Sequence, residues 1–115
     1  MDFNERVLFV VRNFIEYGNY GRDKKNAVII IHRHHPEVPP AVCQDAFDAY
    51  LQVYSDTIAF VRANKDHYWA IKKDPPTGKW PLTKEEDAFF RKHADIPEYI
   101  IRSMIWFIFD WHHVR

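Results

Sequence analysis

The stretch PEYIIRSMIWFIFDWHH, Pro97 to His113, decides what kind of fold this chain can adopt. Its apolar residues Ile100, Ile101, Met104, Ile105, Phe107, Ile108 and Trp111 fall on one broad helical arc. The complementary arc carries Glu98, Arg102, Ser103, Asp110 and His113, and with them Tyr99, Trp106 and Phe109. A helix this apolar around its circumference has to be enclosed, by its own domain or by another molecule. Rings standing among charges are not what an internal core requires, and Tyr and Trp are favoured anchors in association surfaces. Two arrangements would cover Tyr99, Trp106 and Phe109: the first helix and the Trp80 loop of the same chain, or a second copy across a two-fold axis. The second is the favoured reading and makes these three rings the expected interface.

Working back toward the N-terminus, Asp95 and Pro97 open this helix, and Thr83-Lys84-Glu85-Glu86 has the form of a capping box starting a short helix to about His93. Residues 72–81, KKDPPTGKWP, read as a loop by their prolines and glycine. Trp69 and Trp80 bracket it. Trp80 is expected either to fold back as a lid over an aromatic pocket or simply to pin the loop.

The longest helix starts at Pro40. Cys43, Phe47, Tyr50, Leu51, Tyr54, Ile58 and Val61 keep one helical stripe without interruption, and the same pattern extends through Tyr68 and Trp69. Residues 3–17 form another helix, with Phe3, Val7, Val10, Val11 and Phe14 on one face, Asp2 before it and Gly18 after it. A turn at Asn19-Tyr20-Gly21 leads to an element running from Asp23 to about His35. Its β-branched run Val28-Ile29-Ile30-Ile31 suits a buried strand as well as a helix. Helix is favoured because Ala27, Ile30, Ile31 and His34 share a face, and Pro36 ends it at His35.

Together these readings give an all-α fold: one compact, bundle-like domain over 1–115 with four or five helices. A chain of this length hides roughly two-thirds of its unfolded surface, and an aromatic content of 17% supplies large buried side chains. Sixteen basic and sixteen acidic residues cancel, which argues against bulk attraction to nucleic acid or anionic lipid. The helix from residue 40, which a helix-turn-helix would place in a groove, offers aspartates there.

A single cysteine, Cys43, forms no intrachain disulfide and belongs to the apolar stripe. The opening Met1-Asp2-Phe3-Asn4-Glu5 lacks the basic start and apolar run of a secretory leader. The apolar run at 96–109 is shorter than the roughly twenty residues of a membrane span. A cytoplasmic protein away from the membrane is expected.

Candidate chemistry centres on histidine. His32 and His35 have the spacing with which two helical residues share a metal ion, and so do Asp110 and His113. If the two helix ends met, they would supply four ligands to a transition metal. Against this, histidine at a helix C-terminus is favoured by the dipole and the free carbonyls, and no HExxH or paired-cysteine signature is present. Asp45, Asp48 and Asp56 share one face with Gln52 and Arg62, the composition of a solvated surface. Neither serine lies in a Gly-x-Ser-x-Gly context, and no glycine pattern cradles a phosphate.

No cofactor is therefore expected. The leading expectation is a non-catalytic interaction module, a homodimer binding a protein partner in a regulatory, immunity-type or antitoxin-type role. A metal-dependent or acid–base enzyme built on the His/Asp cluster is one alternative. A small-ligand binder with an aromatic pocket under the 72–82 loop is the other.

Overall fold

The computed structural model describes residues 1–78 and 80–113, with the side chains of His112 and His113 outside that description. The described residues are helical, with no strand among them. They form six α-helices rather than four or five: α1 (Phe3–Glu16), α2 (Lys24–His34), α3 (Pro40–Ala63), α4 (Lys65–Lys73), α5 (Lys84–Lys92) and α6 (Glu98–His113). None of the described helices is long and apolar enough to cross a membrane. Contacts gather the chain into two compact units, Met1–Ser55 and Asp56–Arg115, divided within α3.

In the first unit, α1 begins with a reciprocal cap. Asp2 Oδ1 accepts from the Glu5 amide at 2.7 Å, and the Asp2 amide donates to Glu5 Oε1 at 3.0 Å. Beyond α1, the chain turns through Gly18 and then through Tyr20, Gly21 and Arg22, whose φ angles of 62°, 63° and 57° make a short left-handed turn. Asp23 caps α2 by accepting from the Lys25 amide at 2.9 Å. The β-branched run is helix, because its capped start and the tertiary cover over Ala27, Val28 and Ile31 outweigh strand propensity. The buried face is rotated from the expected one: Val28 is buried, whereas His34 and Ile29 are exposed.

His32 Nδ1 meets the Val38 carbonyl at 2.8 Å, tying the proline corner back onto α2. Along α3, Tyr50 donates to Asn4 Oδ1 at 2.6 Å and Tyr54 to Glu16 Oε1 at 2.8 Å, while the Phe14 and Phe47 rings meet edge to face. These contacts hold α1 against α3. Cys43 is buried beside them, and burial pushes its thiol pKa up, as suits a small core residue.

The second unit owes its arrangement to a break in the expected long helix. Asn64 leaves helical geometry at φ −118° and ψ 21°, and its Nδ2 donates to the Phe60 carbonyl at 2.9 Å. An asparagine amide that satisfies a backbone carbonyl competes with helix continuation. The residues read as the end of one helix become α4, which packs on α6. Thr83 and Glu86 form the expected capping box, with both hydrogen bonds at 3.0 Å. Phe60 stacks on Phe89, 4.4 Å between ring centroids, and joins the end of α3 to α5.

Candidate functional site

The chemistry of the second unit converges on Glu86. Its side chain has almost no exposure, 1% for the residue, yet it carries a carboxylate. A buried carboxylate is tolerated only if its lone pairs are used. Here Oε2 accepts from the Tyr68 hydroxyl and from the Trp80 indole N–H, both at 2.9 Å, while Oε1 accepts from the Thr83 amide at 3.0 Å. His67 Nε2 lies 3.6 Å from Oε1. One residue thus joins α4, α5 and the loop between them. The Tyr68 hydroxyl is held protonated well above its ordinary range, by burial first and by the neighbouring Glu86 charge second.

Trp80 folds back onto the helices. Besides its bond to Glu86, it meets Trp106 edge to face at 5.4 Å, and the Arg102 guanidinium lies 4.2 Å from its ring centroid. Arg102 also faces Phe90 at 5.4 Å, and its Nε and Nη1 are buried without a hydrogen-bond partner among the described residues. Its Nε lies 3.5 Å from Glu98 Oε2 in an i,i+4 ion pair, and the two aromatic faces add cation–π contacts worth about 2 kcal/mol when desolvated. Trp69 meets Phe109 edge to face at 5.2 Å and lines an open groove of about 570 Å³ with Asp66, Ala70 and Lys73. A second groove, about 320 Å³, runs between α4 and the loop past His67, Ala70, Ile71 and Trp80. Pro76, Pro81 and Asp74 complete its walls.

The three rings expected at an interface occupy different places. Tyr99 is 47% exposed, Trp106 is partly exposed and Phe109 is fully buried. Phe109 lies inward because α4 covers it: Tyr68 and Trp69 approach its ring, beside Trp106 of its own helix. Phe107, read from the wheel as core, is only partly buried. The outward arc of α6 therefore presents Tyr99, Ser103, Trp106, Phe107 and Asp110, with Ile100, Ile101, Met104, Ile105, Ile108 and Phe109 turned to the core.

The four candidate metal ligands are each placed as follows. His32 is bonded to the Val38 carbonyl, and His35 meets Glu37 Oε1 at 3.2 Å while packing edge to face on Phe3. Both belong to the first unit. Asp110 belongs to the second and pairs with Lys72 at 2.7 Å. The His113 side chain lies outside the described residues. Among the described residues no group of three or more histidine, cysteine, aspartate or glutamate side chains is disposed to hold a metal ion.

Glu86, His67, Tyr68 and Arg102 escape sequence reasoning as a group. The capping box accounts for only one of the Glu86 oxygens. The other is recruited by residues brought near only after α3 breaks at Asn64. No protein-family model, curated protein or solved structure matches this chain.

Proposed function

We propose that this protein is an interaction module that pairs with a second copy of itself through the outward arc of α6. The observation that carries the reading is the 47% exposure of Tyr99, about two turns from the partly exposed rings of Trp106 and Phe107 on the same helix. Aromatic side chains that stay at the surface after the core is complete are the usual anchors of an association surface.

Charge and shape favour a copy of the same chain as the occupant. Both ends of the strip carry ion pairs, Glu98 with Arg102 at 3.5 Å and Asp110 with Lys72 of α4 at 2.7 Å. In an antiparallel, two-fold pairing, each ion pair lies beside the other pair of the second copy, so no uncompensated charge is covered. Ser103, small and exposed, stands near the middle of the strip, where two helices have to approach most closely.

A strip of a few rings makes a small interface, so dissociation on the order of 10–100 μM is expected. Sedimentation velocity across that range tests the reading. The wild-type mass should rise with concentration, and Tyr99→Glu should hold the protein monomeric with an unchanged thermal melt. A wild-type mass fixed at the monomer throughout removes the reading.

A further inference from the structure

The groove between α4 and the following loop has a chemical polarity that self-association does not use. His67, Ala70 and Ile71 share one face of α4 and form the floor, and Asp74, the residue that ends the helix, closes it at one end. Pro76, Trp80 and Pro81 form the opposite wall. The body of the groove is apolar, and its volume of about 320 Å³ suits a small organic molecule rather than a macromolecule.

Among the described residues, its lining carries one exposed carboxylate. Asp74 is exposed at one end, and at the other His67 stands in front of the buried Glu86 carboxylate. Of the described lysines in the last turn of α4, Lys72 is paired with Asp110 at 2.7 Å, and Lys73 lines the separate groove beside Trp69. Trp80 is already anchored through Glu86 and Arg102, so the wall it provides is preformed and needs little ordering when a ligand enters.

We infer that this groove binds a small amphiphilic amine, its protonated nitrogen at Asp74 and its aromatic or aliphatic body along Ala70, Ile71, Pro76 and Trp80. The inference is independent of whether the protein self-associates.

A matched set of probes tests it: 4-phenylbutylamine, the neutral 4-phenylbutan-1-ol and the anionic 4-phenylbutyrate, titrated into the full chain and followed by amide and indole N–H chemical shifts. The amine should give saturable shifts at 71–74 and at the Trp80 indole, and bind about fivefold more tightly than the alcohol, the gain of one partly exposed ion pair. Asp74→Asn should remove that preference and Asp74→Glu should keep it, each with an unchanged thermal melt. Three results would overturn the inference. One is an amine no tighter than the alcohol, the second is a preference that survives Asp74→Asn, and the third is no saturable shift in this groove with any probe.

Discussion

The indole N–H of Trp80 donates to Glu86 Oε2 at 2.9 Å, and this bond connects a loop of exposed residues to a buried carboxylate. Among the described residues of 74–82, Trp80 is the one that is not exposed. The same carboxylate caps α5 through Thr83 and receives the Tyr68 hydroxyl from α4. A helix cap has thereby become the junction of a whole unit.

Removing the junction should cost more than removing a cap. Glu86→Ala deletes the capping interaction and strands the buried Tyr68 hydroxyl and the half-buried Trp80 indole N–H, so a loss of about 2–4 kcal/mol is expected in urea unfolding. Thr83→Ala deletes only the cap and should lose about 1 kcal/mol. Equal losses for the two variants would show that Glu86 acts as a cap alone.

Buried tyrosines should make the protein sensitive to alkali. Tyr54 and Tyr68 are each held protonated above the ordinary range by burial and by a neighbouring carboxylate, Glu16 or Glu86. In the unfolded chain both ionise near pH 10. The folded state thus binds more protons above that pH, and its stability, complete below pH 10, should fall as pH rises further. Absorbance at 295 nm should show Tyr54 and Tyr68 ionising only together with unfolding. Smooth ionisation of both in a folded protein would contradict this.

The left-handed turn between α1 and α2 holds two non-glycine residues at positive φ, Tyr20 at 62° and Arg22 at 57°. Gly21, at φ 63°, has open space where a Cβ would stand. Gly21→Ala should therefore destabilise by about 1 kcal/mol from backbone conformation alone, since nothing is there to clash with. Arg22→Gly should shift stability the other way, offset in part by the entropy glycine adds to the unfolded chain. Thermal melts of the two variants compare them directly.

The arcs of α6 separate by mutation. Phe109→Ala opens a cavity among Tyr68, Trp69 and Trp106, with an expected loss of about 3–5 kcal/mol. Tyr99→Ala, at a half-exposed position, should change monomer stability by less than about 1 kcal/mol. Chemical unfolding at low concentration measures both without a contribution from association.

Most of the helices are readable from local chemistry. The Asp2 and Thr83 caps, the Asp23 start of α2 and the Pro36 stop each act within a few residues, and each is found. The break at Asn64 is not readable, because the apolar period runs through it and one asparagine side chain decides the outcome. Phe109 follows from the same residue: only a separate α4 can fold over it. Glu86 lies 18 residues from Tyr68, and that pairing depends on the same break. Local rules reach the elements, while the site is made by one competition between a side chain and a helix.

The most direct test of α6 self-pairing is a cysteine at its centre. Ser103→Cys places a thiol at an exposed position near the proposed two-fold axis, and the native Cys43 is buried and out of reach. Under mild oxidation at 100 μM, rapid conversion to a disulfide-linked dimer is expected, with Tyr99→Glu suppressing it in the double variant. A Ser103→Cys protein that stays monomeric, or that cross-links equally well with Tyr99→Glu present, would contradict pairing through this face.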